Sequence, residues 1–235
     1  YSTGANNIID NIIVNNASGG SGIYIGSGSG TILTNAFVNN SGDGGLNDAG
    51  IYLQGADGVT LINITANYNS RYGLYLSGTD DANITNVRAD YNTVGVGADG
   101  VYVKGSDRNT FTDITANYNT YVIDMSDAMN NILVDSFFFY NSYVGILMSK
   151  SVGNLISNTT SAENDWEDLF VSGYNDVLYC NNLFQNLTGS GGRIIGHYNY
   201  SVNLSDLIFS HLILCMANHS SLNNITILSS DTKRN

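Results

Sequence analysis

Apolar and polar positions alternate over short distances along this chain, and the same pattern returns at spacings of 22 to 29 residues. An asparagine marks each return, with an apolar residue eight positions before it and a small or apolar one three positions before it. These anchors are Asn16, Asn40, Asn69, Asn92, Asn119, Asn141, Asn164 and Asn186. A repeat of this length indicates one supersecondary unit that is stacked many times.

The repeated unit has the character of a short strand rather than a helix. β-formers and turn formers lie between the apolar positions, and no apolar stripe has helical spacing. A second apolar run follows many anchors and opens with glycine, as in Gly73-Leu74-Tyr75-Leu76. We therefore predict an all-β chain, a parallel β-helix of about nine to ten coils that forms one domain over residues 1–235. Coils about 4.8 Å apart would make a rod roughly 45 Å long.

Two polar columns are predicted to form the corners of the coils. The anchors are expected to stack as an asparagine ladder, because asparagine tolerates the left-handed conformation and can hydrogen-bond along the axis. A second column lies six residues before the anchors: Asp10, Thr34, Asn63, Asn86, Asp113, Asp135, Asn158 and Cys180. Both columns are interpreted as architecture rather than as ligand sites.

The coil from Ala82 to Asn92 resembles the right-handed parallel β-helix repeat. That repeat occurs in pectate-lyase-like enzymes, in periplasmic accessory proteins of the nitrous-oxide reductase system, and in archaeal and bacterial cell-surface proteins. The resemblance extends from Asn6 to Leu228. It implies the fold, whereas function has to be argued from sites on it.

Charge and composition favour an extracellular or cell-surface protein. The sequence has eight basic and 20 acidic residues, which give a net charge of −12. This charge argues against nucleic acid or an anionic membrane as a partner. No apolar stretch approaches the ~20 residues that span a bilayer, so no membrane insertion is expected. The chain opens at Tyr1 without a signal peptide, which we interpret as a processed polypeptide.

Sequons for N-glycosylation are frequent in the chain and crowd toward its C-terminal part. The candidates are Asn16, Asn39, Asn63, Asn83, Asn158, Asn186, Asn199, Asn203, Asn218 and Asn224. Cys180 and Cys215 are the only cysteines. A disulfide between them and two buried free thiols are both open alternatives.

Tyrosines form two columns along the repeat. One set directly precedes the anchors: Tyr68, Tyr91, Tyr118 and Tyr140. The other set lies in the strand after the anchor, on its outer face: Tyr24, Tyr52, Tyr75 and Tyr102. Stacked tyrosines can reinforce a sheet, pack laterally against a neighbouring protein, or bind a glycan, and the sequence leaves these three alternatives open.

Inserts after the anchors predict a cluster of loops at one corner, in Ala17–Gly22, Ser41–Gly50 and Thr93–Gly100. The predicted cluster comprises Asp43, Asp48 and Asp99 around Arg71. Such carboxylates suit general acid–base chemistry, or calcium binding with the arginine near a uronate. A plain surface turn rich in glycine and aspartate is the alternative.

The resemblance to pectate-lyase-like enzymes gives limited support to catalysis. Asp80-Asp81 resembles the paired aspartates of the polygalacturonase-like branch. The Gly-His-Gly and Arg-x-Lys elements that accompany them there are missing, and only Gly196-His197-Tyr198 is similar to the former. The enzyme interpretation is therefore the weaker one.

A further acidic column is predicted at a glycine-containing turn, with candidate calcium ligands Asp57, Asp80, Asp107 and Asp127. Carboxylates about 5 Å apart repel one another by on the order of 1 kcal/mol per pair in water, which a bridging cation would relieve. No other cofactor is predicted.

Strand-like sequence without a helical cap at either end is expected either of a slice of a longer β-helix or of rods that stack head to tail. We therefore predict a structural protein that self-assembles into a surface layer, sheath or filament through stacking and lateral contacts. The alternatives are a carbohydrate-active enzyme, either a polysaccharide lyase or a glycoside hydrolase, and a glycan-binding module. The expected partners are further copies of the chain and a polysaccharide.

Overall fold

The computed structural model describes residues 1–93, 97–172 and 177–229, and these residues form the predicted parallel β-helix. Two short 3-10 helices, Val177–Cys180 and Ser190–Gly192, interrupt the strands. The strands are β1 (Ile8–Asp10), β2 (Ile13–Asn15), β3 (Ile23–Gly26), β4 (Ile32–Asn39), β5 (Ala49–Gln54), β6 (Thr60–Thr65), β7 (Tyr72–Ser77), β8 (Asn83–Arg88), β9 (Asp99–Lys104), β10 (Thr110–Thr115), β11 (Tyr121–Ser126), β12 (Ile132–Val134), β13 (Phe137–Phe139), β14 (Val144–Ser149), β15 (Leu155–Ser157), β16 (Thr160–Ala162), β17 (Glu167–Ser172), β18 (Leu183–Gln185), β19 (Ile194–Tyr198), β20 (Asn203–Ser205), β21 (Ile208–Leu214), β22 (Ser221–Asn223) and β23 (Thr226–Ile227).

Two long parallel sheets make the walls of the solenoid. The eleven-stranded sheet runs β1-β4-β6-β8-β10-β12-β15-β18, with β2, β13 and β16 paired beside this path. The seven-stranded sheet runs β17-β14-β11-β9-β7-β5-β3. Beyond β18 the coils continue as two smaller sheets, β19-β21-β23 and β20-β22. Each coil from β1 to β17 therefore adds one strand to the seven-stranded sheet and either one long strand or two short strands to the eleven-stranded sheet.

Equivalent apolar residues of successive coils stack inside the solenoid. In the eleven-stranded sheet Leu61 pairs with Ile84, and Ile84 with Phe111, and all three are fully buried. A parallel sheet whose inner face is covered favours large apolar side chains at these positions. Each such side chain contributes roughly 1.5–3 kcal/mol by burial, so the core is a continuous column along the axis.

One corner is built from short polar residues in the left-handed conformation, with φ between 49° and 57°. This corner comprises Asn11, Asn35, Asn63, Asn86, Asp113, Asp135, Asn158, Asn186, Asp206 and Asn224. The second predicted column is thus confirmed over its middle part. Asp10, Thr34 and Cys180 were wrongly assigned to it, because Asn11, Asn35 and Asn186 occupy the corner in their coils.

The predicted asparagine ladder is confirmed over Asn69, Asn92, Asn119, Asn141 and Asn164. From Asn92 onward each side-chain oxygen accepts a hydrogen bond from the backbone N–H of the preceding ladder residue; the Asn92 N to Asn119 Oδ1 distance is 2.8 Å. The anchors at the ends were out of register. Backbone hydrogen bonds place Asn16 and Asn40 in the column that continues at Tyr68, and Asn186 follows Asn158 at the other corner.

A second buried ladder was not predicted. It consists of Asn109, Asn131, Asn154 and Asn182, and each backbone N–H again donates to the amide oxygen of the next coil at 2.8–3.0 Å. The two ladders satisfy buried backbone groups where the chain leaves the sheets, which explains the abundance of asparagine.

The C-terminal coils are shorter and are tied to the main body. Asn224 donates to Asp206 at 2.7 Å, only 18 residues away in sequence. Cys180 and Cys215 form a disulfide with a Cα–Cα distance of 5.6 Å. The disulfide settles the alternative that the sequence left open.

Candidate functional site

The outer face of the seven-stranded sheet carries two columns of side chains. Strand register places Ala49, Tyr72, Asp99, Tyr121, Val144 and Glu167 in one column. The other column contains Tyr24, Tyr52, Tyr75, Tyr102, Asp124, Leu147 and Phe170. On each strand the residues of the two columns are three positions apart. On β9 these are Asp99 and Tyr102, because Gly100 and Val101 between them both face inward. A Cβ at Gly100 would lie 2.7 Å from the Ala116 Cβ, so only glycine fits there.

Asp99 and Asp124 lie diagonally opposite each other on this face. Asp99 is 2% exposed; its register partner on β11 is Tyr121, and Tyr102 follows it on its own strand. Asp124 is half-buried and pairs with Tyr102. The Arg71 guanidinium lies over the Tyr72 ring, 5.0 Å from its centre. We call Arg71, Tyr72, Asp99, Tyr102 and Asp124 the acid pocket.

Burial controls the charge of the acid pocket. It raises the pKa of Asp99 well above its ordinary value; the Asp124 charge adds to this effect, and Arg71 opposes it. Burial also raises the pKa of Asp124 to about 7, and that of Tyr102 to about 12. Near neutral pH the two carboxyl groups therefore retain a proton between them.

Three buried polar atoms of the acid pocket have no hydrogen-bond partner: Arg71 Nε, Asp99 Oδ1 and Asp124 Oδ1. Such atoms are uncommon in folded proteins and destabilise them, and groups with shifted pKa cluster at functional sites. A protonated carboxyl beside an ionised one can act as acid and base, and an adjacent arginine suits a carboxylate of the substrate.

Only part of the predicted loop cluster comes together in the structure. Arg71 is near enough to Asp99 for its charge to lower the pKa of that carboxyl group. Asp48 is engaged elsewhere, because its Oδ2 accepts hydrogen bonds at 2.8 to 3.1 Å from the N–H groups of residues 43 to 45. Asp43 lines a separate cavity of about 260 Å³ that also includes Tyr68. The insert Thr93–Gly100 includes residues 94–96, which lie outside the described residues.

Asp124 belongs to the pocket but was not predicted. Its signal was present in the outer tyrosine column, since Asp124 stands 22 residues after Tyr102, one coil further on.

The first tyrosine set forms an exposed strip at a corner, which we call the tyrosine ridge: Tyr68, Tyr91, Tyr118 and Tyr140. Neighbouring rings are nearly parallel, with centres 5.0, 4.7 and 5.6 Å apart. Tyr68 is 53% exposed. Because each inner ring covers the faces of its neighbours, mainly ring edges and hydroxyl groups point outward.

The second tyrosine set packs closely on the sheet. Tyr52 and Tyr75 stack at 4.6 Å with an interplanar angle of 3°, and they are only 7% and 5% exposed. Tyr102 stacks on Tyr75 at 5.1 Å and extends this set to the acid pocket. The faces of these inner rings are occupied by one another.

The acidic turn column is held by donors of the chain itself. Asp57 and Asp80 accept hydrogen bonds from the N–H groups of Asp80 and Asp107 at 2.9 and 2.8 Å. Arg108 forms ion pairs with Asp80 and Asp81. These donors relieve the repulsion that suggested calcium, and the calcium site stays a prediction.

Asp127 was wrongly assigned to this acidic column. It follows Ser126, so strand register places it level with Gly105. The next position of the column after Asp107 is held by Met129, whose N–H donates to Asp107 at 2.7 Å.

Nine of the ten sequons place their asparagine side chain on the surface. The exception is Asn39, which is 9% exposed and accepts the Asn67 N–H at 3.0 Å. Glycosylation of the other nine stays a prediction.

Comparison with known proteins identifies the fold. A family model described as periplasmic copper-binding protein (NosD) matches residues 41–209. The alginate lyase from Paenibacillus sp. str. FPU-7 superposes with a TM-score of 0.50 at 16% identity, covering 96% of this chain and 78% of that one. Both similarities are to right-handed parallel β-helix proteins, so the predicted handedness is confirmed. At this identity the lyase shows the fold alone.

Two further solved structures are similar over most of this chain. The Dettilon tailspike protein gives a TM-score of 0.48 at 14% identity, covering 95% of this chain and 54% of that one. The Streptococcus pneumoniae surface protein and adhesin PfbA gives 0.38 at 10%, covering 94% and 67%. No curated protein matches the chain.

The described residues do not fit a copper ion, which the family description names. Nowhere in the described ranges do three His, Cys, Asp or Glu side chains come together as a metal site requires. Both cysteines are in the disulfide and offer no thiolate. His197 packs against the Phe184 ring at 4.6 Å.

A membrane-spanning helix is not found in the part of the chain that the structure describes, since none of its helices has the length and hydropathy required.

Proposed function

Because this chain belongs to the β-helical family described as periplasmic copper-binding protein (NosD), whose model matches residues 41–209, we propose that it is an extracellular scaffold protein. In this proposal, copies of the chain associate laterally through the tyrosine ridge. The disulfide supports an oxidising compartment outside the cytoplasm.

The observation that carries the proposal is the conformation of the ridge. All four tyrosines have φ of 57° or 58°. The left-handed conformation costs a bulky residue about 1–2 kcal/mol, and it suits the asparagine that occupies the same corner at Asn16 and Asn40. Tyrosine in four consecutive coils therefore favours a role for the side chain. An exposed aromatic strip of this length is typical of an interaction surface.

A second copy of the chain is the partner that fits the ridge best. The inner ring faces are covered, which leaves little room for a sugar ring to stack on them. The ring centres repeat at 4.7 to 5.6 Å, close to the ~4.8 Å repeat of another β-helix. The charge of Arg88 beside the ridge is balanced by Asp90. Contact at this corner therefore brings few like charges together despite the net charge of −12.

The double variant Tyr91→Asn, Tyr118→Asn tests this proposal, because asparagine suits the corner and should preserve the fold. Sedimentation velocity should show concentration-dependent association of the wild type and a monomeric double variant whose melting temperature is no lower than that of the wild type. Tyr200→Asn is a control, since Tyr200 is 60% exposed and lies away from the ridge. A wild type that stays monomeric at high concentration would overturn the proposal, and so would a double variant that associates equally well.

The acid pocket favours a second candidate function, a carbohydrate-active enzyme. Arg71, Asp99 and Asp124 each have one buried polar atom without a hydrogen-bond partner, and they fit acid–base chemistry on an acidic polysaccharide. The test measures cleavage of alginate and polygalacturonate by the wild type, Asp99→Asn and Asp124→Asn. Loss of cleavage in both variants, with melting temperatures at or above that of the wild type, supports this function. No cleavage by the wild type, or equal cleavage by the variants, removes it.

A further inference from the structure

A cavity lies at one end of the tyrosine ridge, where the insert that follows Asn40 meets the ring of Tyr68. Its volume is about 260 Å³, and it is lined by Asn40, Ser41, Gly42, Asp43, Tyr68 and Ser70. Pockets for drug-sized ligands are typically about 300–1,000 Å³, so this cavity suits a smaller ligand. None of the lining residues belongs to the acid pocket.

Tyr68 is the end ring of the ridge, and one of its faces is covered by no other ridge tyrosine. The opposite face stacks on Tyr91, with ring centres 5.0 Å apart and an interplanar angle of 4°. In the preceding coil the same corner is held by Asn40, which has no ring. Tyr68 is accordingly 53% exposed, against 37% for Tyr91. Because the rings stack from coil to coil, the open face points along the axis of the rod, whereas lateral association uses the outward ring edges.

The loop beside this open face is held in place by buried contacts. Asp48, which is 7% exposed, accepts hydrogen bonds from the N–H groups of residues 43 to 45 at 2.8 to 3.1 Å. Gly42 donates its N–H to the Ala17 carbonyl of the preceding coil at 2.8 Å. Its φ is 89°, and a Cβ at this position would lie 2.8 Å from the Asp48 Cβ, so the loop requires glycine there. A preorganised loop lowers the entropy cost of binding, which favours recognition over a plain surface turn.

We propose that this cavity binds one neutral sugar unit, which stacks on the open face of Tyr68. The C–H face of a sugar ring is apolar, so its burial against an aromatic ring is favourable. Asn40 and Asp43 are exposed residues of the lining, so their amide and carboxylate groups are accessible to a ligand. An amide donates and accepts hydrogen bonds and a carboxylate accepts them, which matches the hydroxyl groups of a sugar.

The charge of the loop selects against an acidic sugar. Burial acts to raise the pKa of Asp48, but hydrogen bonds from the backbone of residues 43 to 45 and from the Asp43 side chain outweigh it and hold this pKa below its ordinary value. A uronate would therefore place its carboxylate near those of Asp43 and Asp48, and like charges at short distance repel. None of the described lining residues is basic, so no counter-charge offsets this repulsion.

Saturation-transfer NMR with glucose and galactose, and with glucuronate and galacturonate as their acidic counterparts, tests the proposal at a protein concentration too low for self-association. We expect saturable binding of at least one of the two neutral sugars, and about tenfold weaker binding of its uronate. Tyr68→Asn should weaken sugar binding about tenfold, because it removes the ring while asparagine suits this corner. Asp43→Asn removes the charge and keeps a hydrogen-bonding group, so it should narrow the difference between the sugar and its uronate.

Tyr140→Asn is the matched control. Tyr140 is the other end ring of the ridge, has a φ of 57° like Tyr68, and lies three coils from the cavity, so sugar binding should be unchanged. The proposal is overturned if neither neutral sugar binds saturably, or if Tyr68→Asn, folded as the wild type, binds equally well. A loss of binding in Tyr140→Asn as large as in Tyr68→Asn would also overturn it. Equal binding of a sugar and its uronate by the wild type, or unchanged selectivity in Asp43→Asn, would contradict the assignment of a neutral ligand.

Discussion

The surroundings of Asp81 and Asp124 shift the pKa values of these two aspartates in opposite directions. Asp81 is exposed, and a hydrogen bond from Arg108 holds its pKa below the ordinary value. Asp124 faces tyrosines and another carboxyl group, and burial raises its pKa to about 7. The two residues therefore have opposite effects on the pH dependence of stability, and only the second lies in a candidate site.

Asp124→Asn is predicted to stabilise the fold above neutral pH. The folded pKa of about 7 lies above the ordinary 3.8, so the folded chain holds the proton more tightly. This contribution to the free energy of unfolding is complete below about pH 4 and is lost as the pH rises through 7. The variant should match the wild type below about pH 4 and exceed it by up to about 4 kcal/mol at pH 8 in urea unfolding, because the pKa rises by about three units at about 1.4 kcal/mol each. The exposed Asp113→Asn is the control, and an equal gain there would contradict the prediction.

The acid pocket was predictable only in part. Arg71 and Asp99 follow from the position of the inserts, because inserts from successive coils emerge at one corner. Asp124 lies on a strand without an insert, in the outer tyrosine column one coil after Tyr102. That Asp99 faces outward beside it depends on the outward positions being three residues apart around Gly100. Simple alternation of inward and outward residues does not give that spacing, so only the structure shows which residues of the strand face outward.

The two buried asparagine ladders set the coil geometry at the level of elements. In each ladder the amide oxygen of one coil accepts the backbone N–H of the previous coil, as in Asn92 to Asn119 at 2.8 Å. The amide nitrogen of Asn119 also donates to the Ala89 carbonyl at 2.9 Å. One side chain thus satisfies buried backbone groups in two directions, which an apolar residue cannot do.

Asn119→Ala is predicted to destabilise the protein by about 3 kcal/mol, because it leaves the buried Asn92 N–H and Ala89 carbonyl without partners. Asn83→Ala, at an exposed position of β8, should change the free energy of unfolding by less than about 0.5 kcal/mol. Urea unfolding of the two variants measures the difference. Similar losses in both would show that the ladder contributes nothing specific.

Asparagine occupies three kinds of position in the coil, and this ambiguity limited the sequence prediction. The residue suits both left-handed corners and the buried ladders, so the letter alone does not say which column it occupies. In the middle coils Tyr91 holds the corner and Asn92 the ladder. In the early coils Asn40 holds that same corner, and Ser41 stands at the ladder position. The repeat therefore predicted the coils correctly, while the register slipped where asparagine moved column, by one residue in the early coils and by six at Asn186.

The whole molecule behaves as a series of coils in which each contacts mainly its neighbours. Stability in such solenoids is local, and weak coils can open without the rest. Beyond β18 the long sheets end, and the strands form sheets of two and three members. The side chains of β22 and β23 are exposed, so these coils depend less on the apolar core. The disulfide joins this region to Cys180, at the end of the main body.

Reduction of the disulfide is therefore predicted to loosen only the C-terminal coils. Closing a loop of 35 residues stabilises a fold by about 3 to 4 kcal/mol. Hydrogen exchange measured by mass spectrometry should show faster exchange after reduction in residues 203–227, with residues 60–115 unchanged. The double variant Cys180→Ser, Cys215→Ser should reproduce this pattern without reductant. Uniformly faster exchange along the chain would mean that the coils unfold as one cooperative unit, which would contradict the local character inferred from the sheets.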